Sequence, residues 1–489
     1  MQADSLVRHL GMWSAGKGTL QQKLARSLMQ AVRHGALNPG VRLPSERALA
    51  RSLAVSRTTV VAAYDSLREA GWVESRTGSG TRVAERSRAV AAARGSAQAS
   101  ALAGSPLLGM LANREDDDMI DLAMGSPLAL KDLPLELFTL PSDEYASLIR
   151  DRFYYPLGLP ALREAIAAYY RRAGVPTGAE HILVTNGGQQ AIALAAALFV
   201  QRGDSVLIED PAYFGALDIF RAAGARIAPL RVESDGVSPP MLRDRISATA
   251  ARLAYLTPTF QNPTGGVMPR AARREVARIA AEFGVPVIDD CVLADLVVEG
   301  SAPPPIAAHA PDAPIITTGS LSKLITPGLR VGWIRATEPM IERLARVKTA
   351  TDLGSALLTQ AIAVRLMGAV DEATRLRRAE LRPRRDLMAR LLAEHLPEWS
   401  FRVPPGGVFL WVKLSAGDAR EFAQAALRRG VVIVPGPIMS AAEQHTRFIR
   451  LPFLADEATL RTGVRRLVAA WRDYQSGAQV ERRQSVGMV

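Results

Sequence analysis

The sequence predicts a mixed protein with two parts, a small helical module followed by a large α/β domain with a mostly parallel central sheet. Apolar residues repeat at helical spacing between residues 20 and 67, and from residue 119 to about residue 473 short apolar runs alternate with amphipathic helical patterns. Such alternation is typical of parallel strands connected by helices. The length of 489 residues also exceeds that of one ordinary domain.

The composition favours a soluble cytoplasmic protein. Cys291 is the single cysteine, which excludes a disulfide framework and fits a reducing compartment. Residues 1–20 contain no apolar run suited to a signal peptide, and no apolar stretch reaches the length of a membrane span. No metal site is predicted.

Positive charge is concentrated near the N-terminus. The formal net charge is +12, and residues 1–84 hold twelve Lys and Arg against five Asp and Glu. A field of this sign attracts the phosphate backbone of nucleic acids. A solvated basic surface is the alternative interpretation.

Three helices are predicted in this basic region. The first starts at Leu20 and ends within residues 35–40, where two glycines and a proline interrupt the pattern. Ser45 and Ser56 are predicted N-caps of the second and third helices, because a serine hydroxyl can accept from a free backbone N–H there. Gly71 ends the third helix.

Two short strands follow the helices. Residues 72–76 and 81–84 flank the turn at residues 77–80, where glycines supply the positive φ that a tight hairpin needs. Three helices and a glycine-tipped hairpin predict a winged helix-turn-helix domain over residues 14–84.

Residues at the start of the third helix are candidates for contact with double-stranded DNA. A recognition helix reads base edges with its first turn, where arginine can bind guanine, and hydroxyls and backbone N–H groups bind phosphate. Ser56 has a capping role in either interpretation, and Arg57 is the strongest candidate. The predicted DNA-binding residues are Arg47, Ser56, Arg57, Thr58, Thr59, Arg76 and Gly78.

The same region resembles the GntR family of bacterial regulators. The resemblance rests on Leu-Pro-Ser-Glu-Arg-Ala-Leu-Ala at residues 43–50, Val-Ser-Arg-Thr-Thr-Val at residues 55–60, Gly71, and Gly-Ser-Gly-Thr at residues 78–81. It covers about residues 14–84 and is specific in order and spacing.

Residues 85–118 are predicted to form a linker, because Ala, Ser and Arg predominate and an acidic run follows. A short helix is also compatible with the alanine content. The large domain is assigned to residues 119–475, and a frayed polar tail to residues 476–489.

Five motifs in the large domain follow predicted buried strands. The strands are assigned to residues 181–185, 205–209, 253–256, 286–289 and 315–318, with a helix at residues 271–283 among the intervening elements. The glycines of the first motif, residues 184–190, permit close approach of a phosphate to a helix start. In the second, at residues 210–213, Tyr213 can stack on a flat ring.

The other three motifs carry polar groups with defined chemistry. Asn262, in the third motif at residues 257–265, can hydrogen-bond a phenolic oxygen. Asp289 and Asp290 end the fourth motif, and one such carboxylate can keep a pyridine nitrogen protonated, although either acid can instead cap a helix. In the fifth motif Lys323 lies between serines and can form a Schiff base, while Arg330 can bind phosphate with two hydrogen bonds.

In this order the motifs resemble the fold-type-I aminotransferases, which depend on pyridoxal 5'-phosphate (PLP). The resemblance covers about residues 119–473 and implies that Lys323 forms the Schiff base and that Asp290 pairs with the pyridine nitrogen. Asn262 and Tyr213 are implied at the ring hydroxyl and the ring face. The implied phosphate ligands are Gly188, Gln189, Ser320, Ser322 and Arg330.

The resemblance also assigns the carboxylate of a substrate or effector to Arg450, for which a surface ion pair is the alternative. Two positions depart from the family pattern. Leu293 replaces a tyrosine that bonds the phenolic oxygen of the cofactor, and Phe153 replaces one that reaches the phosphate of the partner subunit. Losing these hydroxyls is expected to affect cofactor tuning more than cofactor binding.

A GntR-type domain followed by an aminotransferase-like domain resembles the MocR branch of the GntR family. The main hypothesis is a homodimeric transcription regulator in which PLP, an amino acid or an amine controls the presentation of two DNA-binding domains. A working aminotransferase with an accessory DNA-binding module is the second hypothesis. A regulator with no bound cofactor is the third.

Overall fold

The computed structural model describes residues 1–11, 13–14, 18–33, 36–76, 80–84, 118–127, 129–151 and 154–486. Most of the predicted linker, Gly78 and Phe153 lie outside the described residues. The side chain of Arg76 is also outside them. Among the residues that the structure describes, no helix combines the length and the apolarity needed to cross a membrane.

In its described residues, the N-terminal domain has four helices and a two-stranded sheet. Both predicted caps are confirmed, because Ser45 Oγ accepts a hydrogen bond from Ala48 N at 3.3 Å and Ser56 Oγ accepts one from Thr59 N at 3.2 Å. The elements are α1 (Ala3–Leu10), α2 (Leu20–Arg33), α3 (Glu46–Ser52), α4 (Arg57–Glu69), β1 (Val73–Arg76) and β2 (Gly80–Val83).

Helix α1 lies before residue 14, where the predicted domain begins. Its Leu6 and Leu10 are buried, together with Trp13, in the same core as the apolar faces of α2, α3 and α4. Strands β1 and β2 pair antiparallel with Val73 opposite Val83. This arrangement is a winged helix-turn-helix with one additional helix.

The large domain is built on a seven-stranded sheet. Strand β10 runs antiparallel to its neighbours β4 and β9, whereas the pairs from β9 to β6 are parallel, so the predicted mostly parallel sheet is confirmed. In spatial order the strands are β4 (Ile182–Thr185), β10 (Gly332–Arg335), β9 (Ile315–Ser320), β8 (Val287–Asp290), β7 (Leu253–Leu256), β5 (Ser205–Asp210) and β6 (Arg226–Arg231).

Helices pack against this sheet and bury its apolar strands in two large clusters. The predicted helix at residues 271–283 is observed as Arg270–Phe283. In chain order the helices are α5 (Ser142–Arg150), α6 (Pro160–Arg172), α7 (Gly188–Phe199), α8 (Phe214–Ala222), α9 (Pro239–Thr249), α10 (Arg270–Phe283), α11 (Leu321–Leu324), α12 (Glu338–Asp352), α13 (Leu357–Gly368) and α14 (Val370–His395).

A second, five-stranded sheet lies toward the C-terminus, and none of its strands was predicted from the sequence. Its spatial order is β11 (Ser400–Phe401), β12 (Phe409–Lys413), β14 (Phe448–Pro452), β13 (Val431–Pro435) and β3 (Ile120–Leu122), of which only β13 and β3 pair in parallel. Helices α15 (Ala419–Arg428) and α16 (Glu457–Val486) accompany it. The backbone of α16 is helical beyond Tyr474, where a frayed tail was expected, and the Ala, Gln, Glu and Arg residues there have good helix propensity.

Candidate functional site

A cleft opens at the carboxyl ends of the central strands, the edge at which open α/β sheets bind ligands. Strands β5, β7, β8 and β9 each end there, so the polar residues that follow them converge although they are far apart in the chain. The predicted cofactor residues that line it are Gly188, Gln189, Tyr213, Asn262, Asp290, Ser320, Ser322, Lys323 and Arg330, and Arg450 lines it as well.

Lys323 projects into the cleft from the short helix α11. Ser320 caps this helix: its hydroxyl accepts from Ser322 N at 3.1 Å and donates to Val331 O at 3.0 Å. Lys323 Nζ donates to Gly125 O at 2.7 Å and lies 3.4 Å from Ser126 Oγ. Burial, assisted by the nearby charges of Arg450 and Arg330, lowers the pKa of Lys323 to about 8. A substantial neutral fraction near that pH makes this amine a competent nucleophile for an aldehyde.

Asp290 is buried at the end of β8. Its Oδ2 accepts from the Tyr255 hydroxyl at 2.6 Å, and its Oδ1 accepts from Val292 N at 3.1 Å and Thr318 Oγ1 at 3.2 Å. Burial raises the pKa of Asp290, while these three donors act in the opposite direction by stabilising the carboxylate. No helix begins at Asp290 or at Asp289, so the alternative capping role is wrong for both.

The far end of the cleft can hold a phosphate group. Gly188 begins the twelve-residue helix α7, whose first N–H groups have no partner within the helix and favour anions. Gly187 has φ of 93°, and a Cβ there would lie 3.0 Å from Arg330 Nη2. Arg330 Nη2 donates to Asn186 O at 2.7 Å, and the buried hydroxyl of Ser322 has no hydrogen-bond partner among the described residues. An exposed guanidinium, a spare hydroxyl and a helix start thus meet at one place.

Tyr213 and Asn262 also line the cleft. Tyr213 immediately precedes α8, and a Cβ on Gly215 would approach its ring to 2.5 Å, so the glycine provides room for the aromatic ring. Burial raises the pKa of Tyr213 to about 12, so its hydroxyl stays protonated at neutral pH. Gln189 is fixed through Nε2, which donates to Gly215 O at 3.1 Å, while its buried Oε1 has no partner in the described chain.

Arg450 is almost completely buried in β14, with 2% of its surface exposed, so a surface ion pair is excluded. Nη1 donates to Asn262 Oδ1 at 3.1 Å and Nη2 to Ala123 O at 2.6 Å. The guanidinium carbon lies 4.1 Å from the centre of the Phe409 ring. Burial lowers the pKa of Arg450, but a guanidinium remains cationic. Because the groups bonded to it among the described residues are neutral, this buried cation can bind a carboxylate.

Some cleft residues were missed by sequence reasoning. Tyr255 lies within a strand, and Gly125 and Ser126 lie far from Lys323 in sequence. None of these three residues therefore carries a local sequence signal. Gly125 has a packing reason, since a Cβ there would approach Phe409 to 2.2 Å. Leu293, the departure from the family pattern, lines the cleft and supplies no hydrogen-bond donor from its side chain.

Glu209 is a buried acid of β5 next to the cleft segment that begins at Asp210. Oε2 accepts from Thr257 N at 3.1 Å and from Gln261 Nε2 at 3.0 Å, whereas Oε1 has no partner among the described residues. Burial is the main cause that raises the pKa of Glu209 to about 7. The pKa of Glu209 is higher in the folded chain than in the unfolded chain. The protonated carboxyl therefore stabilises the fold at pH values below the unfolded pKa, and this stabilisation is lost as the pH rises toward 7.

We therefore expect Glu209→Gln to flatten the pH dependence of stability. Between about pH 5 and about pH 8, the free energy of unfolding of the wild type should fall by on the order of 3 kcal/mol relative to that of the variant. Thermal melting across this range measures the change, with Glu233→Gln, at an exposed glutamate, as the control. Parallel melting curves for wild type and Glu209→Gln would contradict the assignment.

The first turn of α4 forms an exposed polar face on the N-terminal domain. The Arg57 side chain is 68% exposed, and its Nη2 lies 3.0 Å from Glu46 Oε2. Ser56 Oγ lies 2.7 Å from Thr58 Oγ1 and 2.8 Å from Thr59 Oγ1, so the three predicted hydroxyls are adjacent. This face presents one cation, three hydroxyls and the start of a helix to an approaching phosphate backbone.

A shallow groove beside this face brings together Arg42, Arg47 and Arg57 with Gly80 and Thr81 of the wing. Arg42 was missed because it lies in a loop, but a Cβ on Gly80 would meet its Nε at 3.1 Å, so arginine and wing are in contact. Arg82 is used structurally, since its Nη1 donates to Gly40 O at 3.0 Å.

Comparison with known proteins matches both parts of the chain to families. Residues 117–467 match the family of class I and II aminotransferases, and residues 20–83 match the gntR family of bacterial regulatory proteins. The two matches fall on the two domains seen in the structure.

Among full-length relatives, the uncharacterized HTH-type transcriptional regulator YisV of Bacillus subtilis is 30% identical over 475 residues, which cover 93% of this chain and 97% of YisV. The probable rhizopine catabolism regulatory protein MocR of Rhizobium meliloti is 30% identical over 393 residues, 78% of either chain. Among solved structures, kynurenine aminotransferase of Pyrococcus horikoshii in complex with PMP has a TM-score of 0.68 at 28% identity, covering 73% of this chain and 92% of that chain.

Proposed function

Because this chain belongs to the class I and II aminotransferase family and carries a GntR-type DNA-binding domain, we propose that its cofactor cleft senses PLP, an amino acid or an amine and so controls transcription. The chain is a DNA-binding regulator fused to a PLP-binding domain. The observation that carries the proposal is the convergence of Lys323, Asp290 and Arg450 on one cleft of a chain whose other domain exposes Arg57.

Within this proposal, Lys323 would hold PLP covalently through its side-chain amine. The bound cofactor supplies an electron-withdrawing ring. Asp290, held in place by Tyr255 and Thr318, would face the pyridine nitrogen, and Tyr213 would stack on the ring. Asn262 Nδ2 would donate to the phenolic oxygen, because the carbonyl oxygen of its side chain accepts from Arg450.

The phosphate is assigned to the start of α7 and to the polar groups around it. Gly188, Gln189, Ser322 and Arg330 bind it, with the unpartnered hydroxyl of Ser322 as a direct donor. Ser320 acts differently from the other serine, since its hydroxyl already bonds Val331 O and caps α11. Ser320 therefore positions Lys323 and Ser322 rather than donating through its own hydroxyl.

Arg450 is assigned to the carboxylate of an amino-acid effector. A carboxylate would replace the weaker neutral acceptors Asn262 Oδ1 and Ala123 O as the partner of a desolvated cation, and such charge-assisted bonds are strong. Because Arg450 and Asn262 are bonded to each other, binding at Arg450 also changes the surroundings of the ring.

The DNA partner is assigned to the first turn of α4 and the wing. Arg57 is proposed to contact a base edge or phosphate, Arg47 a phosphate, and Ser56, Thr58 and Thr59 the backbone. Arg76 and Gly78 of the wing complete the proposed set.

We also infer a homodimer, in which two such domains read paired half-sites. Tyr154 and Leu353 are 71% and 50% exposed, and Gly354 packs directly against the backbone of Tyr154. Adjacent exposed apolar side chains of this size favour a protein–protein contact. Sedimentation of the full chain tests the inference, and a monomer at micromolar concentration would overturn it.

A turnover assay separates a sensor from an enzyme. PLP-loaded protein is incubated with panels of amino acids and keto acids, with Lys323→Ala plus free PLP as the background. We expect rates close to that background, because Leu293 leaves the cleft without one hydroxyl donor of the family pattern. Turnover in the range of about 1 to 1,000 per second, as is usual for enzymes, would favour the second candidate function, a working aminotransferase. The observation that favours this candidate is that Lys323, Asp290 and Arg450 line one cleft.

A further inference from the structure

The two domains touch at one face of α15 in the five-stranded subdomain. The indole nitrogen of Trp13 donates to Gln424 Oε1 at 2.8 Å, and Arg428 Nη1 donates to Leu53 O at 2.8 Å. Burial lowers the pKa of Arg428, so this arginine is desolvated in the contact. Three turns of one helix therefore hold the N-terminal domain through buried or half-buried polar groups.

Arg420, at the start of α15, connects this interface to a second segment. Its Nη1 lies 2.7 Å from Asp4 Oδ2 in α1, and its Nη2 lies 3.0 Å from Glu443 Oε2. Asp4 is fixed on its other side, where Oδ1 accepts from Ser52 at the end of α3. A single guanidinium thus joins the DNA-binding domain to the connection between β13 and β14.

That connection, residues 440–447, also touches the strand end that precedes Tyr213. Ser440 Oγ lies 3.1 Å from Asp210 Oδ2, and His445 Nε2 lies 3.5 Å from Asp210 Oδ1. Just before it, Met439 O accepts from Ala212 N at 2.8 Å. After it, the chain enters β14, which carries Arg450. The connection therefore contacts the base of Tyr213 and leads directly into the carboxylate-binding arginine.

The backbone of residues 440–447 is held by these contacts rather than by local preference. Glu443 and His445 have φ of 55° and 58°, which lie in the left-handed region that is unfavourable for residues other than glycine. The side chains of both residues point to partners, Glu443 to Arg420 and His445 to Asp210. A segment of this kind can change its conformation when one partner moves.

On the side of the DNA-binding domain, the same interface positions the helix-turn-helix. Arg428 donates to the carbonyl oxygen of Leu53, and Leu53 is the residue that follows α3. Helix α3 in turn packs against α4. Glu46 at the opposite end of α3 pairs with Arg57. A displacement at the interface is therefore transmitted through the short helix α3 to Arg57, the residue proposed to read DNA.

From these contacts we propose that Arg420 couples the cofactor cleft to the DNA-binding domain, through Glu443 and the 440–447 connection on one side and Asp4 on the other. The inference rests on the proposed function and specifies how the site is regulated. Occupation of the cleft by PLP at Tyr213 orders the connection through the adjacent Asp210 and Ala212. The ordered connection fixes the position of Glu443, and the ion pairs to Arg420 and Asp4 are then kept. The positions of helices α1 and α3 are fixed through Asp4.

Hydrogen exchange measured by mass spectrometry on the full chain tests this coupling, with PLP alone as the probe. In the wild type, PLP should slow exchange in residues 3–10 of α1 by about threefold or more, because opening of the interface becomes less frequent. Arg420→Gln should bind PLP with the same absorption change and the same protection of α7, yet lose the effect at α1. Arg429→Gln is the matched control, because this exposed arginine, which immediately follows the same helix, pairs with Asp473 instead.

Asp4→Asn breaks the same ion pair from the side of Asp4 and should likewise remove the effect of PLP on α1. This second variant keeps the test valid if Arg420→Gln does not fold. Unchanged exchange at α1 in PLP-loaded wild type, or a full effect in both bridge variants, would overturn the coupling. Absence of PLP binding to the wild type would instead overturn the proposed function itself, since α7 would then show no protection.

Discussion

Lys323→Ala is expected to abolish covalent attachment of PLP completely. Borohydride reduction of the wild type should leave the cofactor on the peptide that contains Lys323, and the variant should show neither the modified peptide nor the visible absorption of the attached cofactor. The reason is chemical, since alanine has no amine. The phosphate groove around Gly188 and Arg330 remains intact, so non-covalent binding should persist with lower affinity.

The pH dependence of attachment gives the same prediction a second readout. The pKa of Lys323 is lowered to about 8 by burial and by Arg450 and Arg330, so the rate of attachment should rise with pH and level off near that value. Lys131→Ala, at an exposed lysine, serves as the control. A borohydride-trapped cofactor on another lysine of Lys323→Ala would refute the assignment.

Arg57→Ala is expected to weaken binding to specific DNA by roughly tenfold to a hundredfold, which corresponds to about 1–3 kcal/mol for a lost base or phosphate contact. The exposed guanidinium is bonded only to Glu46 among the described residues, and that pair costs little to open in solvent. Fluorescence anisotropy at physiological salt with a DNA fragment selected by the wild-type protein measures the change.

Arg68→Ala is the matched control for Arg57→Ala. Arg68 lies at the other end of α4 and bonds Asp65 and Ser75 within the domain. Equal loss of affinity in both variants would indicate a non-specific effect of charge. Unchanged affinity in Arg57→Ala would remove Arg57 from the recognition set.

Features encoded within a few residues were predictable from the sequence. The caps at Ser45 and Ser56 need only a serine three residues before a free N–H, and both were found. The cleft was predictable for a related reason. Asp290, Lys323 and the Gly188 turn each follow an apolar strand, and the carboxyl ends of parallel strands meet at one edge of a sheet.

Contacts between distant segments could not be predicted in the same way. Lys323 and Gly125 are 198 residues apart, and Tyr255 and Asp290 are 35 apart, so no spacing pattern links them. The five-stranded sheet was missed because β3 comes from before the central sheet and pairs with β13, more than 300 residues later. Helix α1 joins the N-terminal core through Leu6 and Leu10, whose short apolar pattern precedes the family motif.

We infer that the buried polar groups of the cleft form a fixed part and a movable part. Asp290 is bonded on both oxygens within the central sheet, whereas Arg450 and Tyr213 are attached to the 440–447 connection and its neighbours. Ligands that engage the movable groups can act on the DNA-binding domain, because a ligand shifts an equilibrium only through different affinities for the two states. In the proposed assignments, the cofactor ring contacts Tyr213 and the effector carboxylate contacts Arg450, so both ligands engage the movable part.

The most direct measurement is the affinity of the full chain for a DNA fragment that it has itself selected from genomic DNA, titrated once without PLP and once with PLP bound. Coupling between the two sites predicts that the dissociation constants differ by about fivefold or more, and that the fragment changes the affinity for PLP by the same factor. Equal dissociation constants for PLP-free and PLP-loaded protein, with or without amino acids added, would contradict a regulator controlled through its cofactor cleft.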